Sequence, residues 1–211
     1  MSSAAHVNLD GPDSSIIVWS AHLGYTLYGP YDICFDHKGV DTVLQHEKES
    51  GRTPQMQEII DVIKTQLPNS NKVPVFLVGD LNAPSQLDWT EANKGNHCNY
   101  GYIPWPTSDI PLKAGLTDSY RELYPDPAKN PGITWSPVHS ASDEPPDRLD
   151  FMYYHGAVKV KSSEPVMVGQ PKNVPNQANN EWPSDHKSFE SVCELLPSAQ
   201  RKKRCLDKAS N

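Results

Sequence analysis

No stretch of the sequence approaches the ~18 consecutive apolar residues of a membrane span, and no leader with charged, apolar and small-residue regions opens it. Cysteines are few and scattered. Cys34, Cys98, Cys193 and Cys205 form no Cys-x-x-Cys pair, which removes the usual zinc spacings. They read as free thiols packed as small apolar groups, with the redox compartment left open. His-Glu-x-x-His and Gly-x-Ser-x-Gly are both absent, so neither a zincin helix nor a nucleophile elbow is present. Positive charge is in deficit too: 19 basic against 26 acidic side chains leave a net charge of −7. That balance argues against a nucleic-acid clamp spread over the whole surface. A local site where a metal ion handles phosphate charge remains compatible with it.

Hydrophobic residues make up 36% of the 211 positions, enough for one folded domain. Prolines number 20, against roughly ten at average usage, which favours short elements and many loops over a helical bundle. After a polar start at 1–13, Ile16-Ile17-Val18-Trp19 reads as a buried strand ending in Ser20-Ala21-His22-Leu23. Residues 24–50 read as a long connection. Met56, Ile59, Ile60, Ile63 and Leu67 fall at i, i+3, i+4, i+7 and i+11, an amphipathic helix with Pro54 near its start and Pro68 beyond its end. A second buried strand covers 73–78 and stops at Gly79-Asp80-Leu81-Asn82. A helix is expected from 84 to 93, a loop over 94–117, and a short helix over 118–123 with Asp118 near its start. Further strands are expected at 133–135, 148–154, 158–168 and 188–196. Strands mixed irregularly with few helices give an α+β, layered α/β chain. Residues 1–196 form the domain and 197–211 a polar tail whose Arg201-Lys202-Lys203-Arg204 run reads as a solvated terminus.

Three apolar runs end in polar residues for which a core has no use: Ser20-Ala21-His22, Gly79-Asp80-Leu81-Asn82 and Ser184-Asp185-His186. A fourth pair, Arg148 and Asp150, sits in an otherwise aromatic strand. Each alone has an ordinary explanation, as a turn or a satisfied structural group. Together, two His, three Asp and one Asn make up the group set that hydrolyses a phosphate ester with a hard divalent cation. The ester is anionic, so Mg²⁺ on carboxylate oxygens offsets the repulsion met by an attacking water. A carboxylate can orient or deprotonate that water, an imidazole or amide can donate to the phosphoryl oxygens, and an Asp beside a His fixes its tautomer.

In order and type, Ser20-Ala21-His22-Leu23, Gly79-Asp80-Leu81-Asn82, Arg148-Leu149-Asp150-Phe151 and Ser184-Asp185-His186 resemble the later motifs of the endonuclease/exonuclease/phosphatase superfamily. That group includes pancreatic-type deoxyribonucleases, apurinic endonucleases, neutral sphingomyelinases and inositol polyphosphate 5-phosphatases. The resemblance covers roughly residues 5–196. It implies a four-layer α/β/β/α sandwich of the deoxyribonuclease I-like type and a Mg²⁺ site, with Mn²⁺ as the alternative ion. The implied substrate is a nucleic acid, a phospholipid or a small phosphoester. His22 would contact the scissile phosphate or act as general acid. Asp80 would position or activate water, and Asn82 would hydrogen-bond the phosphate. Asp150 would hold the imidazole of His186, which would stabilise or deprotonate at the reacting centre, and Asp185 would be a metal ligand.

Members of that superfamily begin with a strand carrying an Asn and a strand carrying the principal metal-binding Glu. Neither pattern occurs in residues 1–15, and Glu47, Glu49 and Glu58 lie in the wrong contexts to substitute. The expectation is a C-terminal portion of the domain with its N-terminal strands missing. Such a chain would be weakly active or inactive, or a non-catalytic remnant. Tyr25, Tyr28, Tyr31 and Asp32 follow the His22 strand and would lie near the mouth of the site, either as packing tyrosines or as a surface for bases or lipid. Arg52 and Arg121 are left out of the site, and Trp105, Trp135 and Trp182 read as core or loop anchors.

Overall fold

A computed structural model describes residues 2–10, 14–174 and 179–196. The basic run 201–204 and Cys205 fall outside the described residues. The polar start is itself a strand, β1 (Ser2–Asn8), antiparallel to β2 (Ser15–His22). The 24–50 connection contains two helices, α1 (Gly29–Cys34) and α2 (Val40–Glu49), followed by the expected α3 (Arg52–Gln66) and β3 (Val75–Asp80). No α-helix forms over 84–93. Turns and a 3₁₀ helix at Glu91–Asn96 take its place, and the expected loop after it carries α4 (Pro106–Lys113). The chain then forms β4 (Thr117–Asp118), α5 (Ser119–Leu123), β5 (Asp150–His155), β6 (Val158–Val166) and β7 (Ser188–Leu195). Residues 133–135 make only isolated bridges, Trp135 pairing with Asp147 and with His186.

One sheet has the order β1-β2-β3-β5-β4, and β6 and β7 form a separate two-stranded ribbon. Side chains alternate across a strand, and the two faces of the large sheet bury different partners. Leu77, Phe151, Tyr153 and Ala21 face α3, whose Met56, Ile59, Ile60 and Ile63 supply its buried stripe. Phe76 and Tyr154 face the ribbon's Val158 and Val160. A third cluster, Ile33, Val43, Trp89, Ile103 and Trp105, sits under α1 and α2. This is a mixed α+β arrangement in layers of helix, sheet and ribbon.

Two buried polar networks replace apolar packing. Arg52 and Glu47 are both fully buried and paired, and the Arg52 guanidinium also donates to the carbonyls of Gly24, Thr26 and Leu27. Arg148 lies between Asp88 and Asp118, and Arg121 joins it on Asp88. Arg52 and Arg121 are therefore committed to the fold and not to a substrate.

Cys34 and Cys98 are disulfide-bonded, which corrects the free-thiol expectation for this pair. Spacing alone cannot reveal it, because the packing of α1 against the turn after the 3₁₀ helix is what brings the two residues together. Cys193, on β7, is a free thiol. Burial, then the charge of Glu122, pushes its pKa up to about 11. Only the thiolate reacts with alkylating agents. Iodoacetamide at pH 8 is therefore expected to label Cys193 in the folded chain roughly a hundredfold more slowly than an ordinary thiol, with the rate climbing as pH rises towards 11. Peptide-resolved mass spectrometry reads this directly, and labelling at the ordinary rate would contradict it.

Candidate metal and phosphate site

The site is a consequence of strand register. His22 lies opposite Asp80 across the parallel β2–β3 pair, and Asp80 lies opposite Asp150 across the antiparallel β3–β5 pair. Residues paired in register point to the same face of a sheet. Each of the three is also an even number of residues from a strand neighbour packed towards the ribbon: Ile16, Phe76 and Met152. Their side chains therefore emerge at one end of the sheet on the ribbon side. His186, just before β7, meets them there.

Local sequence explains the tight geometry. Gly79 has φ +136°, and a Cβ on it would lie 1.9 Å from the carbonyl oxygen of Ala21, so only glycine lets β2 and β3 close this near their ends. Asn82 has φ +49°, a left-handed conformation that Asn tolerates well. The turn brings its backbone N–H to Asp80 Oδ1 at 2.7 Å, while its side-chain amide donates to the Leu23 carbonyl at 3.1 Å. In the third motif the Ser184 hydroxyl accepts the N–H of His186 at 3.1 Å, a side-chain turn of the kind Ser favours.

His186 Nδ1 sits 2.9 Å from Asp150 Oδ2. An ionised carboxylate only accepts hydrogen bonds, so Nδ1–H donates to it and Nε2 faces Asp80 Oδ2 at 3.7 Å. On the other side, His22 Nε2 is 3.6 Å from the same Asp80 oxygen. Burial, then the neighbouring charge of Asp150, raises the pKa of Asp80, against the opposing effects of the Asn82 N–H and the two imidazoles. For His186, burial works against the charged ring. The Asp150 hydrogen bond and the charges of Asp150, Asp80 and Asp185 outweigh it, and the pKa rises.

Ligand atoms of Asp80, Asp150 and His186 all lie within 4.8 Å of one another. Two carboxylates and an imidazole at that spacing form an acceptable donor set for a divalent cation, with the carboxylate oxygens the natural ligands of a hard ion. Thus His22, Asp80, Asn82, Asp150 and His186 come together. Asp185 is exposed and outside that three-residue group.

Thr134 and Trp135 belong beside these residues, and no motif marks them there. The Thr134 hydroxyl accepts the N–H groups of Leu149 and Asp150 at 3.0 and 3.2 Å, and its carbonyl accepts the Lys187 N–H at 2.8 Å. The Trp135 ring packs on the His186 ring at 4.8 Å between centroids. The residue pair ties the Asp150 strand to the His186 turn. Its only sequence signal is the short Ile133-Thr134-Trp135 run, which reads as an ordinary strand.

Helix, mixed sheet and ribbon in layers, with a carboxylate–imidazole centre at the strand ends, define a class of layered α+β proteins built around a candidate metal site. Residues 6–186 match the Endonuclease/Exonuclease/phosphatase family, and the chain belongs to it. It is 38% identical over 181 residues to the uncharacterized protein F14F9.5 of Caenorhabditis elegans, covering 80% of this chain and 56% of that one. Its fold is similar to that of a mannosyl-6-phosphatase, Bt3783, from Bacteroides thetaiotaomicron. The TM-score is 0.53 at 16% identity, over 92% of this chain and 56% of that one. It is also similar to the 3′ phosphatase NExo from Neisseria bound to product DNA hairpin, with a TM-score of 0.53 at 17% identity, over 90% and 63% of the two chains. The chain spans a little over half the length of these relatives. No helix among its described residues is long and apolar enough to cross a membrane.

Proposed function

We propose that the chain carries the reacting groups of a divalent-metal-dependent phosphoesterase that hydrolyses a phosphodiester or phosphomonoester, with Mg²⁺ as its cofactor and Mn²⁺ as a substitute. The observation that carries this reading is the convergence of His22, Asp80, Asp150 and His186 at one end of the sheet. Membership of a family named for endonucleases, exonucleases and phosphatases supports it.

Asp80 and Asp150 would hold the cation, with Asp185 at the rim as a further ligand. When bound, the ion supplies positive charge that offsets the phosphate's own. The protein's groups then have separable tasks. Asp80, placed between Asp150 and the two imidazoles, is suited to orienting the attacking water. Asp150 fixes the His186 tautomer, so Nε2 is the atom that faces the reacting centre and exchanges a proton or donates to a phosphoryl oxygen. Protonation within the Asp150–His186 pair belongs to the pair. His22, 71% exposed, can reach the leaving oxygen as an acid, and Asn82 would donate to a nonbridging oxygen.

The test is hydrolysis of bis-p-nitrophenyl phosphate with Mg²⁺ or Mn²⁺ by this chain, its His186→Ala variant and a version extended upstream. Turnover that His186→Ala abolishes supports the reading for the chain as it stands. Turnover only in the extended version supports the family chemistry and shows that the site needs a further segment. Silence in both favours a non-catalytic remnant.

A further inference from the structure

We propose that β1 is an interface, and that a second copy of this chain pairs with it, antiparallel and about a two-fold axis, to join two five-stranded sheets edge to edge. The inference goes beyond the phosphoesterase reading and does not depend on it.

The backbone directions follow from the register. The Leu9 N–H donates to the Ser14 carbonyl at 2.8 Å, on the β2 side, and the Ile17 N–H donates to the Pro74 carbonyl at 2.9 Å, away from β1. Hydrogen-bonded and non-bonded pairs alternate along an antiparallel ladder. Ser3, Ala5 and Val7, opposite Ser20, Val18 and Ile16, therefore direct their backbone groups at β2. Ser2, Ala4, His6 and Asn8 turn theirs outward, and no strand among the described residues meets them there.

An open edge of this kind templates further pairing, and proteins usually guard it with charge, proline, a bulge or brevity. The other edges here are guarded. β4 is two residues long, and the ribbon carries Lys159, Lys161, Glu164 and Pro165 on β6 with Glu190 and Glu194 on β7. β1 has none of these devices. Its seven residues, Ser-Ser-Ala-Ala-His-Val-Asn, include no Asp, Glu, Lys, Arg or Pro, and its register with β2 has no shift. In a chain of net charge −7, this is a strip on which two copies meet without carboxylate repulsion.

The strand is also complementary to itself. Pairing centred on Ala5 sets Ser2 opposite Asn8 of the second copy and Ala4 opposite its His6, so every outward residue is bonded. A two-residue slip one way leaves Asn8 without a partner in the strand. The opposite slip does the same to Ser2 and sets the two His6 rings against each other. Such differences fix a register. In the centred one, small Ala4 faces large His6, and the Ser2 and Asn8 side chains can hydrogen-bond across the pair. Ser2 shares the face of its partner Ala21, which packs on α3, and lines a recess there with Trp19, Gln55 and Val62. Asn8 of the second copy would close the open side of that recess. The two copies of β2 run in opposite directions in this sheet, so the two carboxylate–imidazole centres sit at opposite ends.

The test is analytical ultracentrifugation of the full chain over a concentration series, with backbone amide exchange followed by NMR. The expected result is a monomer–dimer equilibrium with a Kd of about 10 μM, in the weak class of small contacts. At about ten times Kd, where roughly four-fifths of the chain is paired, the Ala4 and His6 amides should exchange about fivefold more slowly than in dilute solution. Those of Ala5 and Val7 should stay protected at both concentrations. Ala5 is exposed, so Ala5→Lys and Ala5→Glu keep the fold while placing like charges opposite each other on the axis. Each should weaken the dimer about fivefold. Mixing the two variants pairs Lys with Glu and should restore it, which chains that had merely lost their fold would not do. Four outcomes each overturn the proposal: a chain that stays monomeric, a dimer indifferent to both substitutions, variants that do not rescue each other, or an open series of larger assemblies in place of a closed dimer.

Discussion

Replacing Arg148 with methionine is expected to lower the unfolding free energy by about 3–5 kcal/mol, the usual cost of stranding a buried charge. Arg148 is fully buried. Its Nε and Nη2 reach Asp88 at 2.9 and 3.1 Å, and its Nη1 and Nη2 reach Asp118 at 3.2 and 2.8 Å. Burial works against the charged guanidinium, but the carboxylates of Asp118 and Asp88 outweigh it and raise its pKa. Two acids and two arginines make this network neutral. Without Arg148, Arg121 still pairs with Asp88, but Asp118 keeps only the N–H groups of Tyr120 and Arg121. The stranded charge sits beside Phe151 and Tyr120, on whose rings the guanidinium now rests at 4.4 and 5.4 Å. Urea unfolding of Arg148→Met measures the cost. Adding Asp118→Asn removes the unmatched charge and should return part of it. A single-variant loss below about 1 kcal/mol, the range of surface pairs, would mean that solvent reaches the network. Arg148 also lies two residues before the start of β5, so losing its anchor should weaken the placement of Asp150.

The second large effect concerns the disulfide. Cys34 and Cys98 are 64 residues apart, and in the chain-entropy account a link of that span contributes about 4 kcal/mol by restricting the unfolded chain. Cys34→Ser, Cys98→Ser and the double variant should all lose a similar amount, because any one of them opens the loop. Cys193→Ser should leave the urea midpoint within the small shifts of a conservative change. Equal midpoints for the oxidised and reduced wild-type chain would refute the stabilising role. The bond joins the end of α1 to the segment beneath the Trp89–Trp105 cluster, and α1 carries Tyr31. Reduction should therefore loosen Tyr31, which lines a concavity with Asn82 and Trp135, before it touches the sheet.

Much of the sheet and α3 were legible because packing and pattern coincide there, and α5 because Asp118 caps its start as expected. The α3 stripe from Met56 to Ile63 and the runs at 16–19, 75–78 and 150–154 place apolar groups where the core lies. The rest hides for identifiable reasons. β1 is an edge strand with almost every side chain exposed, so no alternation marks it. α1 and α2 bury Asp32 and Glu47, charges that read as loop in a hydrophobicity pattern but are satisfied by Lys38, His46 and Arg52. α4 contains Pro111, which argues against a helix by propensity. The site residues stood out because polar side chains ended apolar runs. Thr134 and Trp135 did not, because their contribution depends on contacts made across the chain and not on their neighbours in sequence.

The order of strands also sets how the molecule must come together in time. β2 and β3 are parallel neighbours, and such a pair requires a crossover, here the segment that holds α1, α2 and α3. β3 then waits for β5, on the far side of α4 and α5, and His186 arrives still later, ahead of β7. Each pairing closes a long loop before it gains contacts, the circumstance that slows folding most. The β2–β3 pair alone brings His22 to Asp80, but Asp150 and His186 join them only through β5 and the turn before β7. An unfolding fluctuation that separates β3 from β5 is expected to split the site into two halves, His22 with Asp80 and Asp150 with His186.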